Sequence, residues 1–340
     1  MKKEINKKDI YILGIETSCD ETSMSIVKNG RQEIKSVVLT QIPVHKQFGG
    51  VVPEIASRCH IENITIVIEE LFSDVNITID DIDYIAVTYG PGLIGSLIIG
   101  VEAAKSISFI TGKPLIKVHH IRGHIYANNL VKELEFPLIA LVVSGGHSDL
   151  ILMKKHYEFE KLGGSLDDAI GEAYDKIARI LNLSYPGGPE IDKRAPLGFD
   201  TYSLPLPLDD DSYNFSFSGI KSAVLNLVNN EKMRGNEIRI NDLCASFQNR
   251  VIEILTKKTI NALKKYKVNN LIIAGGVAAN IGLRKSFEKL SKEENFNLII
   301  PEFKYCTDNA AMIASAGYYG ILKDKTDLSL KPVSVDNYYE

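Results

Sequence analysis

The stretch Tyr11–Lys28, YILGIETSCDETSMSIVK, sets two short apolar runs on either side of a polar turn. Ile12-Leu13-Gly14-Ile15 and Met24-Ser25-Ile26-Val27 read as paired strands. The turn between them, Glu16 to Ser23, is dense in hydroxyls and carboxylates. The same arrangement returns at Leu138–Met153, LIALVVSGGHSDLILM, where Ser144-Gly145-Gly146-His147-Ser148 forms the tip. A hairpin restarting more than a hundred residues on predicts two related halves. Between and after the hairpins come further buried-type strands: about 33–39, Tyr84–Tyr89, Leu115–Val118, Leu271–Ala274 and Leu298–Ile300. Helices are expected from Pro53 to about Leu71, since proline suits the first helical position, and at about 167–182, 218–229, 241–266, 281 onward and 308–322. Strands alternating with helices indicate an α/β class. The Pro-, Gly- and Asp-rich stretch 184–216 reads as a long loop.

A chain of 340 residues suits two domains, here residues 1–135 and 136–340, with the last helix able to pack back on the first. Hydrophobic content of 45% and charged content of 24% are those of an ordinary soluble protein. The net charge of −4 announces no global affinity for nucleic acid, although a local basic surface would suffice. The four cysteines, Cys19, Cys59, Cys244 and Cys306, form no C-x-x-C pair, which argues against a thiolate zinc site and suits a reducing cytosol. The Lys-rich start is followed by too short an apolar run for a signal peptide, and no stretch of 18 apolar residues occurs. The expectation is a cytoplasmic protein without membrane association.

His120 and His124 stand four residues apart, on one face if helical, and neutral imidazole is a common metal ligand. Two histidines bind weakly alone, so a third donor is expected, and Asp308 in Tyr305-Cys306-Thr307-Asp308-Asn309 is the candidate. Such a three-ligand site leaves positions open for catalysis. His119 should point elsewhere, since adjacent helical positions diverge by about 100°. The pair invites comparison with metalloproteases, but their H-E-x-x-H signature is missing its base: positions 121 and 122 are Ile and Arg.

Three Gly-Gly turns offer unhindered backbone N–H groups: Gly145-Gly146, Gly187-Gly188 and Gly275-Gly276. Each alone is an ordinary turn; together they look like a nucleotide embraced from several sides. Asp175, within an apolar-periodic helix, and Asp192 could accept hydrogen bonds from ribose hydroxyls. Asn280 is either a helix cap or a ribose or base contact. Lys257, Lys258, Lys264, Lys265 and Lys267 make a basic helix end that reads as a solvated face or a contact for RNA phosphates.

Taken jointly, Gly14–Thr22, Phe48–Arg58, Gly90–Leu97, His119–His124, Val143–His147, Gly171–Lys176, Phe215–Gly219, Gly275–Asn280 and Cys306–Ala310 resemble the TsaD family of tRNA N6-adenosine threonylcarbamoyltransferases in its bacterial form, from about residue 11 to about residue 322. The resemblance implies two RNase-H-like lobes of the actin/Hsp70/sugar-kinase (ASKHA) type around a nucleotide cleft. It implies transfer of the threonylcarbamoyl group from L-threonylcarbamoyladenylate to N6 of adenosine 37 in tRNAs reading codons that start with A, with release of AMP. His120, His124 and Asp308 would then hold one divalent ion, Fe2+ in the first instance, with Zn2+ or Mg2+ as alternatives. Val142, Val143, Ser144, Gly145 and Gly146 would line the adenylate, and Asp175, Gly188, Asp192 and Asn280 would contact its adenosine moiety. Asp20 and Glu21, at the first hairpin tip, are candidates for proton handling or orientation. The implied partners are tRNA, a paralogous ASKHA subunit and an ATPase subunit. The competing readings are a metalloprotease-like enzyme and a non-catalytic ASKHA nucleotide-binding scaffold.

Overall fold

The computed structural model describes residues 9–335, so the Lys-rich start of the chain lies outside the described residues. Two compact units are present: the described parts of Met1–Leu134 with Pro301–Glu340, and Glu135–Ile300.

The first unit is built on a six-stranded sheet. Tyr11–Glu16 (β1), Glu21–Lys28 (β2) and Gln32–Thr40 (β3) form an antiparallel meander. Pro53–Phe72 (α1) leads on to Tyr84–Gly90 (β4), which returns parallel to β1. Ile94–Thr111 (α2) connects to Leu115–His119 (β5), parallel to β4. The crossover helices exist because their apolar faces have a sheet to cover: Ala56, Val67 and Leu71 of α1 and Leu97, Val101 and Ala104 of α2 are fully buried. By length and composition α2 is apolar enough to cross a membrane, yet it packs on β4 and α1 and carries Glu102 and Lys105. His120–Ala127 (α3) follows β5 directly.

The second unit repeats the plan with five strands. Leu138–Val143 (β6), Ser148–Met153 (β7) and Phe159–Gly164 (β8) form the meander. After the helices Ile170–Ile180 (α4), Gly187–Arg194 (α5), Ser218–Met233 (α6) and Ile240–Tyr266 (α7), Asn270–Ala274 (β9) pairs parallel with β6. Ile281–Glu293 (α8) crosses over to Asn297–Ile299 (β10), parallel to β9. The orders β5-β4-β1-β2-β3 and β10-β9-β6-β7-β8 are one topology used twice, as the repeated hairpin predicts. The chain then re-enters the first unit. Ala310–Gly320 (α9) packs on β1, β2 and α3, and Lys325–Thr326 (β11) adds an edge strand to β5.

Two expectations need correction. β8 carries no strand signal in the sequence: its adjacent Glu160 and Lys161 are both exposed and break any period-2 alternation, and its pairing with β7 is bulged. The stretch 184–216 is not one loop, because α5 lies inside it. Local propensity is poor there, with two glycines and a proline. The proline falls in the first turn, where its missing N–H costs nothing. Asp175 Oδ1 also accepts the Gly187 N–H at 2.7 Å, capping the helix from outside.

A similar remote cap starts α6. Its own N-cap, Phe217, has no side chain to offer. Asp167 supplies the carboxylate instead, accepting from Phe217 N at 2.8 Å, Ser216 Oγ at 2.6 Å and Ser218 Oγ at 2.6 Å. Partial burial pushes its carboxyl up, but these hydrogen bonds outweigh that and hold it below the usual aspartate value. A depressed value stabilises the fold above the unfolded pKa of about 3.9 and loses that contribution as pH falls through the native value. Asp167→Ala is expected to lower stability by roughly 0.5–2 kcal/mol at pH 7, and by progressively less as the solution is acidified below about pH 4, read from urea midpoints at each pH.

Candidate metal centre and nucleotide site

The metal candidates meet within the first unit. His119 ends β5 and caps α3, its Nδ1 accepting the Ile121 N–H at 3.2 Å, so it is used locally. His120 and His124 then lie one turn apart, with rings nearly perpendicular and centroids 4.6 Å apart. Asp308 lies just before α9, which approaches α3 closely because Gly123 has no Cβ to collide with Ile313 and Met312. Ser23 Oγ accepts the Ala310 N–H at 2.9 Å, and Asn309 caps α9 by accepting from Met312 N at 3.0 Å. These two bonds hold the segment that carries Asp308.

Asp308 Oδ1 lies 3.2 Å from His124 Nε2 and 3.5 Å from His120 Nε2, and the three donor atoms fall within 4.8 Å of one another. Bonds of 2.0–2.1 Å in tetrahedral geometry separate ligand atoms by about 3.4 Å, so the group fits a transition-metal ion without rearrangement. Three protein donors, two imidazoles and one carboxylate, are the set expected of an open catalytic site.

Behind the ligands lies Glu16, fully buried at the end of β1. Its Oε2 is 3.2 Å from His120 Nδ1 and accepts from Thr88 Oγ1 at 2.6 Å; its Oε1 accepts the Ser18 N–H at 2.6 Å. Ser18 Oγ also sits 3.1 Å from His120 Nδ1. The carboxylate fixes the ring's tautomer and leaves Nε2 facing Asp308. Burial pulls the His120 pKa down, but the charges of Asp308 and Glu16, with the Glu16 hydrogen bond, override it and raise the value to about 9. Burial pushes Asp308 up, whereas His120 and His124 draw it down to about 2. His124 differs from its neighbour: its buried Nδ1 has no hydrogen-bond partner among the described residues.

Glu16 and Ser18 were missed as site residues, although the signal was present. A carboxylate at the end of the otherwise apolar strand Ile12–Ile15 demands a partner. Asp20 and Glu21 lie at the same hairpin tip, both nearly buried. Burial, then the charges of Asp308 and Asp20, push Glu21 up to about 10, so at neutral pH it carries its proton. Thr40 Oγ1 donates to Glu21 Oε1 at 3.2 Å.

The expected nucleotide residues all lie in the second unit. Val142 and Val143 are buried in β6, and Gly145 and Gly146 form the exposed tip between β6 and β7. The tip is closed by Ser144 N donating to His147 O at 2.8 Å and is tied to α4 by Gly171 N donating to Ser144 O at 3.1 Å. Neither tip glycine has a positive φ, so the turn itself does not require them. A Cβ on Gly145, Gly146, Gly188 or Gly276 would touch nothing within 4 Å. Their neighbours Gly187 and Gly275 are different, since a Cβ there would strike the backbone of Tyr174 and of Val143 respectively. One glycine of each later pair is therefore a packing necessity, and the other leaves bare backbone open to something from outside.

Asp175, on α4, holds the Gly187-Gly188 turn as described. Asp192, on α5, accepts from Ile281 N at 2.8 Å and Gly282 N at 3.2 Å, capping α8. Asn280 caps the same helix through Oδ1, accepting from Leu283 N at 2.8 Å. Gln248 on α7 and Tyr174 on α4, neither singled out from sequence, join Asp192 and Asn280 in one hydrogen-bonded group. Lys258 is buried rather than part of a basic face, its Nζ bonded to Asp210 Oδ1 at 2.9 Å and Ser212 O at 2.8 Å.

Comparison with known proteins bears on what these groups serve. The family model described as tRNA N6-adenosine threonylcarbamoyltransferase matches residues 32–315. The chain belongs to this family. A threonylcarbamoyltransferase from Bacillus subtilis (strain 168) is 59% identical over 313 residues, covering 92% of this chain and 90% of the relative. One from Staphylococcus haemolyticus is 57% identical over 313 residues, covering 92% of each. Among solved structures, HypF from T. kodakarensis aligns with a TM-score of 0.60 at 14% identity, over 95% of this chain and 49% of HypF, and supports the ASKHA fold alone. The 2-hydroxyglutaryl-CoA dehydratase component A of Acidaminococcus fermentans aligns at 0.51 and 15% identity, over 92% of this chain and all of that one.

Two outcomes follow for this threonylcarbamoyltransferase-family chain. Because His120 holds a proton up to about pH 9, a cation binding at neutral pH must displace it. Affinity for Zn2+ should rise by about tenfold per pH unit from pH 6 toward 9, with about one proton released, measured by calorimetry in buffers of different ionisation enthalpy. Glu16→Gln removes the carboxylate that orients His120 and should weaken metal binding by roughly 10–100-fold in a chelator competition, with the circular dichroism spectrum retained.

Proposed function

We propose that this chain transfers the threonylcarbamoyl group of L-threonylcarbamoyladenylate to N6 of adenosine 37 in tRNAs that read codons starting with A, releasing AMP. In this reading it is a cytoplasmic, metal-dependent enzyme that works with a paralogous ASKHA subunit and an ATPase subunit. The observation that carries the proposal is the family match over residues 32–315, which spans the His120–His124–Asp308 group. A metalloprotease reading finds no support, because Ile121 occupies the position where a zincin carries its glutamate. A non-catalytic scaffold would leave the ligand group and its buried Glu16 support without a use.

The donor is a mixed anhydride with a good leaving group, so positioning and charge stabilisation should dominate catalysis. His120, His124 and Asp308 would hold the ion, Fe2+ in the first instance, which when bound acts as a Lewis acid toward carbamoyl or phosphate oxygens. The bare N–H groups of Gly145 and Gly146 would bind the donor's oxygens, and a side chain there would block them. Asp175, Gly188, Asp192 and Asn280 would hold the adenosine moiety. The N6 amine is a weak nucleophile, because its lone pair is delocalised into the ring. Asp20 would orient it and accept its proton. Glu21, protonated at neutral pH, is suited to donate a hydrogen bond rather than to act as a base.

Incubation with tRNA, labelled threonine, bicarbonate, ATP, a threonylcarbamoyladenylate synthase and the partner subunits should yield N6-threonylcarbamoyladenosine, detected by mass spectrometry of the digested nucleosides. His124→Ala should reduce the product at least 100-fold without unfolding the protein. Full activity of that variant after chelator treatment would refute the metal's part in the proposal.

A further inference from the structure

Gln248 lies on α7 in the stripe Cys244, Gln248, Val251, Leu255, whose other members are buried and apolar or weakly polar. It is only 4% exposed. A primary amide in such a stripe is costly unless its donors and acceptor are used. Its hydrogen-bond partners are the side chains of Asp192, Asn280 and Tyr174. Its Nε2 donates to Asp192 Oδ1 at 3.0 Å, and its Oε1 accepts from Asn280 Nδ2 at 2.8 Å and faces Tyr174 OH at 3.5 Å. The amide thus joins three elements, α4, α5 and the start of α8, and touches each of the other three residues.

The order of donors in this group is dictated by its chemistry. Asp192 is an acceptor only, so Gln248 must turn its NH2 toward it and its carbonyl toward Asn280. Asn280 must then present its own NH2 to Gln248. That is the orientation its second role demands, because its Oδ1 caps Leu283 N. Two independent constraints therefore agree on one arrangement. The backbone leaves room for it: a Cβ on Gly282 would run into Gln248 Nε2. With Ile281 N, Gly282 N and Gln248 Nε2 all on the Asp192 carboxylate, about one of its four lone-pair directions is left for a ligand, and the direction is set by these three donors.

We infer that Gln248 is the positioning residue of the nucleoside-binding face, acting through Asn280 and Asp192 by fixing the amide orientation of the first and the remaining acceptor direction of the second. The inference rests on the reading above that these two residues contact the adenosine moiety. It assigns Gln248 no contact with the reacting atoms, so its loss should appear in nucleotide affinity rather than in the chemical step.

The test uses AMP as the probe with the full chain, followed by transfer kinetics with the partner subunits. Gln248→Met keeps the length and removes both hydrogen-bonding ends; Gln248→Glu sets a second carboxylate against Asp192. Both should weaken AMP binding by roughly tenfold or more, Glu more than Met, since each leaves buried polar groups unpaired or opposed. The KM for the adenylate donor should rise by a similar factor with kcat within about threefold, and Zn2+ affinity at His120, His124 and Asp308 should not change. Should neither variant fold, the wild-type protein still decides: the side-chain amide resonances of Gln248 and Asn280 should shift together as AMP is added. Variants that fold and bind AMP within twofold of wild type, or a kcat loss at unchanged KM, would overturn the inference. So would a Gln248 resonance unmoved while that of Asn280 shifts. Wild-type protein that binds no AMP would instead remove the nucleoside reading itself.

Discussion

A buried line of charge, Glu16–His120–Asp308–His124, organises the first unit. The fully buried Glu16 and the neighbouring Asp308 are held as a charged pair by His120 between them, with His124 on the far side of Asp308, and His120 would not hold a proton to about pH 9 without the carboxylates. The line joins elements distant in sequence. Glu16 ends the first strand, the histidines open the helix after β5, and Asp308 precedes the helix that returns after the whole second unit. Gly14 and Gly123 serve this requirement, because a Cβ on Gly14 would strike Ala310 O at the start of α9 and one on Gly123 would meet Ile313 and Met312. Such a line also suits ligand exchange. A cation held by His120, His124 and Asp308 would take over the counter-charge that the proton on His120 supplies, with the supporting bonds to Glu16 retained.

The same sheet topology occurs twice, but its hairpin tips are put to different uses. In the first unit the tip is polar and almost closed, with Ser18 and Glu16 folded back on His120. In the second the tip is Gly145-Gly146, which has no side chain and is backed by Gly171 of α4, while the direction a Cβ would take at either tip glycine is open. The carboxylates of the second unit are engaged as remote helix caps: Asp175 on α5, Asp192 on α8 and Asp167 on α6. Capping places a carboxylate at a fixed point with part of its acceptor capacity in use, which is what a ribose-contacting group needs. Capping by Asp175 and Asp192 is therefore compatible with the adenosine contacts proposed for those two residues.

The sequence was legible where a local pattern has one physical meaning. Apolar runs on either side of the polar turns at Glu16–Ser23 and Ser144–Ser148 predicted both hairpins, and the i, i+4 histidines predicted one shared helix face. The strand Phe159–Gly164 escaped because the adjacent charges Glu160 and Lys161 interrupt its apolar residues and leave no period-2 pattern. Helix α5 escaped because its start depends on Asp175, twelve residues earlier, and not on its own Gly-Gly-Pro sequence. Gln248 was hidden for a related reason, and so were the partners of Glu16 and Ser18, although the buried carboxylate of Glu16 itself was legible. Each of the three supports another residue, and such support is visible only once the partner's position is known. The exposed-lysine reading of Lys258 failed because Asp210 and Ser212, in a separate loop, cover it.

The central claim, that His120, His124 and Asp308 hold a catalytic cation, is tested most directly by X-ray absorption spectroscopy at the metal edge of the Fe2+- or Zn2+-loaded protein. The account predicts two imidazole scatterers and one carboxylate oxygen on the ion, with exchangeable oxygen completing the shell and one imidazole lost in His120→Ala. A shell made only of oxygen, or a spectrum unchanged by that substitution, would contradict it.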